Sequence, residues 1–418
     1  MSKKEKSREK LSTDPYKGVR DLYPEDQAFL NYFKTTCATM VEKVGYVEYG
    51  ASILEPAELY KAKGVENAEL AQSQTYSFID RGDRQVTLRP EMTPTVARMV
   101  AAKRRELGFP LRLYSIPNFF RYERPQRGRT REFWQLNVDL FGTDSLFADA
   151  EILGIAYGLM RAFGANDDDF TIKVGSRVWL DELVKELGLT DEKAAALRRL
   201  LDARGKMPTG EFATKLDELG VPQKVIVEAT PPADIARMIG EFAAVGITNI
   251  VFDPSIVRGF DYYTGMVFEV FDTNPLNNRA LFGGGRYDNL TQQFDDEPIS
   301  GVGFGMGDAT IHNFLEVRGL LPQYTPPTKA YLAITSPELA LQAQTLAGEL
   351  RQAGVNVAID FGDKKLGDQI KTATKHKIPY VIVVGPDELT SGNFVVRDLA
   401  SSKDTPLSRT ELSNFFLS

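Results

Sequence analysis

Residues 132–141, EFWQLNVDLF, alternate with a period of two. Trp134, Leu136, Val138 and Leu140 take one face, and Gln135, Asn137 and Asp139 take the other. That pattern demands a strand with one side against a core and one side left for polar work, so the chain has to build a sheet. A second strand-like run, RLYSIPNFFRYE, precedes it. Between the two, Arg121, Arg124, Arg127, Arg129 and Arg131 stand against only Glu123 and Glu132. Two strands flanking an arginine-rich loop read as a long hairpin. A row of amide, amide and carboxylate suits a small ligand carrying an ammonium or a ring N–H. Arg121, at the end of the first strand, is placed to offer a guanidinium fork to a phosphate oxygen. The same alternation also fits an ordinary hairpin with a solvated polar face, and periodicity does not separate the two.

The rest of the chain divides by pattern. Tyr23-Pro24-Glu25-Asp26 opens a helix, with proline and acids in its first turn, and the amphipathic run continues through Val44 to stop at Gly45. Short strands and loops dominate from 46 to 141, and a helix is expected from about 145 to 163, followed by the strand FTIKVGS. From about 176 to 248 the spacing turns helical with glycine and proline breaks, an insertion between two halves of one domain spanning 15–325. PQYTPPT, at 322–328, reads as a linker. Beyond it, AYLAIT, NVAIDF and YVIVVG alternate with helical runs, which predicts a small α/β domain over 329–418. Residues 1–14 read as a disordered basic tail, not as a secretory signal, because no apolar run follows the charges.

Several chemistries are disfavoured. The single cysteine, Cys37, shares a helical face with Phe29, Phe33, Met40 and Val44, so it reads as core and fits a reducing cytoplasm. Two histidines, His312 and His376, lie in separate segments, so no His/Cys metal site is expected. No run reaches the ~18 apolar residues of a bilayer span. A net charge of −7 does not advertise nucleic-acid binding, although the arginine loop is locally basic. GVGFGMG, at 301–307, has the wrong spacing for a dinucleotide fingerprint, and no GxxxxGK[ST] loop is present.

RYERPQRGRTREFWQ resembles the second motif of class II aminoacyl-tRNA synthetases, and TLRPEMT fits beside it. VRGFDYYTGMVFEV, with GGGRYDNL after it and GVRDLYPED near the start, is similar to the signatures of the histidyl-tRNA synthetase family. The resemblance spans nearly all of the chain after the tail. It implies an α+β fold: a class II antiparallel-sheet catalytic domain flanked by helices, the helical insertion, and a C-terminal α/β anticodon-binding-type domain. It implies ATP-dependent activation of histidine, with magnesium on the substrate, and transfer to the 3′ end of histidine tRNA by a cytoplasmic homodimer whose interface includes the first helix.

Carried over residue by residue, Arg121 and Arg258 would be catalytic and, with Glu123, would bind ATP. Glu91, Met92, Thr93 and Gln135 would hold the amino acid, Tyr262 and Tyr263 would wall its pocket, and Asp139 with Tyr263 would face the imidazole. Arg127 and Arg129 would face the acceptor end of the tRNA. GGGRYD would be pocket backbone or a tight turn. Lys364, Lys365, Lys371, Lys375 and Lys377 would face the anticodon or simply water. The third class II motif departs from the family: Gly307-Asp308-Ala309-Thr310 stands where Gly-Leu-Glu-Arg is usual, so a threonine replaces the arginine that contacts the ATP tail. Another cation is expected to compensate. A rival expectation, encouraged by that loss, is a non-catalytic regulatory subunit of ATP phosphoribosyltransferase built on the same fold.

Overall fold

The computed structural model describes residues 11–61, 73–257, 262–277, 279–361 and 364–417. The chain divides into two compact units, 1–322 and 323–418. Arg258, the second arginine expected at the site, lies outside the described residues, as do the first ten residues of the basic tail.

The first unit is organised by a mixed, mainly antiparallel nine-stranded sheet. Its order is β1 (Val47–Glu48), β5 (Leu111–Ser115), β7 (Glu132–Phe141), β12 (Gly301–Gly307), β11 (Ala280–Arg286), β10 (Met266–Asp272), β8 (Phe170–Ser176) and β9 (Ile250–Phe252), with β6 (Asn118–Phe120) paired to β7. A separate three-stranded sheet joins β2 (Leu54–Pro56), β4 (Gln85–Leu88) and β3 (Tyr76–Ile79).

Three helices cover one face of the large sheet: α1 (Pro24–Glu42), α3 (Leu146–Ala162) and α9 (Asp308–Arg318), while α2 (Thr93–Ala102) lies across the other. The apolar side of β7 drives this arrangement. Leu136, Val138 and Leu140 join Phe33, Cys37 and Val41 of α1 and Ile152, Ala156 and Leu159 of α3 in one core. Cys37 is fully buried there, and burial raises its thiol well above the ordinary range, which makes it inert. His312 packs edge-on against Phe29, with ring centroids 4.7 Å apart. Among the described residues, no cluster of His, Cys, Asp and Glu could hold a metal, and no helix is long and apolar enough to cross a membrane.

The helical segment builds its own small core. α4 (Arg177–Glu186), α5 (Asp191–Asp202), α6 (Thr209–Leu219) and α7 (Gln223–Val227) bury Leu180, Leu197, Leu201, Phe212, Leu216 and Ile226 together. The sequence pattern runs this insertion on to 248. In the structure α8 (Ala233–Ala244) instead buries Ile235 and Met238 in the main core, so the helix returns to the sheet before β9 begins. Amphipathic spacing reveals a buried face but not which core receives it.

The second unit carries a five-stranded sheet of order β14 (Val357–Ile359), β13 (Ala330–Ile334), β15 (Tyr380–Val384), β16 (Asn393–Asp398) and β17 (Asp404–Ser408). The first three strands are parallel and the last two antiparallel. α10 (Ala340–Gln352) and α11 (Leu366–Lys375) make the crossovers, with α12 (Pro386–Ser391) and α13 (Arg409–Leu417) after them.

Candidate active site

On its polar side β7 forms the floor of a cavity of about 290 Å³. The neighbouring strand makes room for it. Pairing sets Gly303 opposite Asp139 and Gly305 opposite Asn137, so the glycines of GVGFGMG lie on the polar side while Val302, Phe304 and Met306 fill the core. A Cβ on Gly305 would fall 1.9 Å from Gln135 Nε2, and one on Gly303 would fall 2.4 Å from the Val138 carbonyl oxygen. Side chains on one strand thus exist at the expense of side chains on the next. The glycines of GGGRYD are pocket backbone in a strand, not a tight turn: Gly283, Gly284 and Gly285 lie within β11, Gly283 lines the cavity, and a Cβ on Gly284 would meet the Gly303 oxygen at 2.0 Å.

Two cations line the cavity among the described residues, Arg121 and Arg129. Arg121 leaves the end of β6, donates from Nε to the Pro90 oxygen at 2.8 Å, and lies over the Phe133 ring at 5.2 Å. Desolvation pulls its guanidinium down, and the charges of Glu91 and Glu123 hold it up, so the group remains a cation whose fork is fixed before a ligand arrives. Arg129 pairs with Glu123 at 3.2 Å. Arg127 turns outward to Glu316, and Arg131 stacks on Tyr122 with its guanidinium 4.0 Å from the ring centroid. Thr310 lines the cavity as well, but its hydroxyl donates to the Leu281 carbonyl at 2.6 Å. The first turn of α9 therefore presents no cation.

Glu91, Thr93, Gln135, Tyr262 and Tyr263 all line the same cavity. Glu91 is buried and accepts from the Tyr262 hydroxyl at 3.3 Å, and the Tyr262 and Tyr263 rings lie 4.9 Å apart. Gln135 donates to Asn137 at 2.8 Å, which fixes the amide's orientation. Met92 is not part of the wall: it is 1% exposed and sits at the N-cap of α2, between two residues that do line the cavity.

Asp139 also departs from expectation. Alternation sets it in the ligand-facing row, yet it is buried beneath that wall, behind Gly303, and accepts a short hydrogen bond from the Tyr287 hydroxyl. Tyr287 lines the cavity, so it stands between the carboxylate and the space above. Burial pushes the Asp139 carboxyl up to about 7, and the Tyr287 hydrogen bond opposes that rise. Its Oδ2 is buried and makes no hydrogen bond in the structure. A carboxylate oxygen kept from water and left without a donor is costly unless something else supplies one.

Phe133, Glu269 and Tyr287 are among the cavity residues that the sequence reading does not assign a role. Phe133 was available from the same alternation that gives Gln135. Glu269, on β10, looks like any polar residue in a strand. Tyr287 sits in the GGGRYDNL signature, but nothing local marks its bond to Asp139, 148 residues earlier.

Comparison with known proteins agrees with this architecture. The family model for histidyl-tRNA synthetase matches residues 18–225 and 208–309, and that for the anticodon binding domain matches 329–418. Histidine--tRNA ligase of Leptospira biflexa serovar Patoc is 39% identical over 96% of this chain and 97% of its own length. Histidine--tRNA ligase of Thermoplasma volcanium is 32% identical over 97% and 98%. Among solved structures, histidyl-tRNA synthetase from Nostoc sp. PCC 7120 superposes with a TM-score of 0.81, at 22% identity over 98% of this chain and 99% of that one. A protein from Bacillus halodurans C titled ATP phosphoribosyltransferase regulatory subunit/histidyl-tRNA synthetase gives 0.68, at 24% identity over 90% and 99%. These last two likenesses speak to the fold alone. With both family models matched in order and near-full-length relatives above 30% identity, the chain belongs to the histidyl-tRNA synthetase family.

Proposed function

We propose that the chain joins histidine to its transfer RNA in two steps within this cavity. A histidine carboxylate oxygen attacks the α-phosphorus of ATP, and pyrophosphate leaves. The terminal ribose hydroxyl of the tRNA then attacks the acyl carbon of the adenylate, and AMP leaves. Arg121 is the residue best placed to steady charge on the α-phosphate, because its guanidinium is already fixed by the Pro90 carbonyl and the Phe133 ring. Arg258 is assigned the second such role by resemblance. No side-chain nucleophile is needed, so catalysis rests on positioning and electrostatics. Magnesium would arrive on ATP, held by the phosphates and water, since among the described residues no carboxylate cluster could hold it.

The observation that supports the choice of histidine is the Tyr287 hydroxyl, which lines the cavity and donates to the buried Asp139 carboxylate, so its oxygen is left to accept a ring N–H. An amino acid with a ring N–H satisfies such a site and one without it does not, a difference on the order of 10⁴–10⁵ in selection. Glu91, Thr93 and Gln135 are read as holding the amino group, and Tyr262 and Tyr263 as walling the side chain. Arg129, held by Glu123, is read as the cation that stands in for the arginine absent at Thr310. Arg127, whose ion pair with Glu316 is exposed and so contributes little, is free to turn to the acceptor end of the tRNA.

The unit 323–418 is read as the anticodon-binding part, and the protein as a cytoplasmic homodimer. Exposed Val47, Leu54, Phe78 and Ile79 on the β1 edge and the small sheet offer apolar surface for a second copy.

Histidine-dependent ATP–pyrophosphate exchange, run against all twenty amino acids, tests the reading. Exchange with histidine alone is expected, and none at saturating ATP would overturn it. One observation favours the other reading, a regulatory subunit of ATP phosphoribosyltransferase: the Thr310 hydroxyl is engaged by a carbonyl where an arginine would meet ATP. The second unit, with its anticodon-domain match, weighs against it.

A further inference from the structure

Asp139 Oδ2 has two neighbours in the same condition. The Tyr49 hydroxyl and Ser115 Oγ are also shut off from solvent, and neither makes a hydrogen bond in the structure. Ser115 is 2% exposed and Asp139 3%. Strand register explains why the three meet. β5 pairs with β7 so that Leu113 lies opposite Asp139 and Ser115 opposite Asn137. On its other edge β5 takes β1 in parallel, with Val47 opposite Leu113. The pairing runs on past the end of β1, where Tyr49 donates its N–H to the Tyr114 carbonyl at 2.9 Å. Two residues on from Val47 and Leu113, Tyr49 and Ser115 therefore share the face that carries Asn137 and Asp139. Burial raises the Tyr49 hydroxyl well above its ordinary range, and the Asp139 charge raises it further. The Ser115 hydroxyl lies close enough to oppose that rise without meeting Tyr49 at hydrogen-bond geometry.

The other polar groups around this place are committed elsewhere. Tyr287 gives its proton to Asp139 Oδ1. Tyr46, which the Asp139 charge also reaches, donates to Glu151 at 2.9 Å. Arg89 and Tyr60 both act on Tyr49 by charge. Arg89 donates to the Asn118 and Ala51 carbonyls at 3.0 and 2.8 Å, and Tyr60 to the Glu91 carbonyl at 3.2 Å. On the cavity side the Tyr262 hydroxyl donates to Glu91. Among the described residues this leaves two hydroxyls and one carboxylate oxygen together in a buried place. A buried water makes about three hydrogen bonds, to polar groups that would otherwise have none.

We propose that Tyr49 and Ser115 hold one buried water against Asp139 Oδ2, and that Tyr49 acts through it as a positioning residue for histidine selection. The water accepts from the Tyr49 hydroxyl, donates to Oδ2 and has the Ser115 hydroxyl as its third partner. A donor on each carboxylate oxygen favours the charged form over the protonated one. The charged form keeps the Tyr287 proton turned inward and the Tyr287 oxygen free for a ring N–H. The proposal rests on the reading of the chain as a histidine ligase and adds residues behind the cavity wall.

The test follows histidine-dependent pyrophosphate exchange across the neutral pH range in the unaltered protein, Tyr49→Phe, Ser115→Ala and Asp139→Asn. Tyr49→Phe removes one oxygen and leaves the ring. Its acid limb is expected to move up by about one pH unit, a loss of about fivefold in kcat/KM near pH 7 that closes as the pH rises. Ser115→Ala moves the limb the same way, KM for ATP stays put, and Tyr49→Phe added to Asp139→Asn changes nothing further. A limb that moves in neither variant overturns the proposal. So does a loss of equal size at every pH, the mark of a merely structural part. If the unaltered protein exchanges with no amino acid, the ligase reading sinks instead, and the water is tested without catalysis. The infrared band of the protonated Asp139 carboxyl, identified by its loss in Asp139→Asn, should then titrate about one unit higher in Tyr49→Phe. Equal titration in the two proteins overturns the proposal.

Discussion

Asp139 is a residue whose structural cost and selective use are the same fact. Burial pushes its carboxyl up to about 7, so its charge is lost as pH falls through that value. The ionised form is the one that accepts from the Tyr287 hydroxyl and so leaves the Tyr287 oxygen to accept a ring N–H. The acid limb of kcat/KM for histidine in the exchange reaction is therefore expected near pH 7, and Asp139→Asn removes that limb while lowering kcat/KM by at least 10². A pH profile of both proteins checks this, with free histidine's own titration as the baseline. Stability has the opposite sign. Because the folded-state value lies above the unfolded one, the native state holds the extra proton from about pH 4 to 7, and stability falls as pH rises through that window. Asp139→Asn should thus gain about 1–3 kcal/mol at pH 8 and almost nothing at pH 4, read by thermal melts at the two pH values.

Among elements, β12 shows how a strand bare of side chains on one face makes a site on its neighbour. Gly305→Ala sets a methyl 1.9 Å from the nominal place of Gln135 Nε2, so the amide swings out of its bond to Asn137. The expected result is a rise in KM for histidine of about tenfold or more, with a melting temperature that drops only modestly, since a side-chain tip can move. Steady-state exchange against a melting curve separates the two. In the arginine loop, Arg129→Ala should cut the exchange rate by roughly 10²–10³ if it stands in for the cation that α9 lacks, and adding Thr310→Arg should restore part of the loss.

The sequence made β7 and its hairpin legible, because a period of two survives whatever packs around it. It did not show that Asp139 lies under the wall, since alternation gives the side and not the depth. Tyr287 lies in the GGGRYDNL signature, but its role was not legible because its partner Asp139 lies far away in the chain. Three consecutive glycines in β11 contradict strand propensity. Their reason is spatial: a methyl on Gly284 would sit 2.0 Å from the carbonyl oxygen of Gly303 on the next strand.

At the scale of the molecule, each unit has its own core, one around Phe33, Leu136 and Phe268 and one around Leu332, Leu346 and Ile382. A protein ending at residue 322 is accordingly expected to fold and keep histidine-dependent exchange, while its tRNA charging falls by 10² or more; retained charging would show that the second unit does not read the RNA. The amino-terminal segment ties the first unit shut in another way. Arg131 donates its backbone N–H to Gly18 at 2.7 Å and its side chain to the Lys17 carbonyl, and Arg20 pairs with the buried Asp308 at the head of α9. Arg20 leaves the ribosome 288 residues before Asp308 does, so this ion pair is among the last contacts of the first unit to form. In a nascent chain Arg20 therefore waits without Asp308 until nearly the whole first unit has been translated.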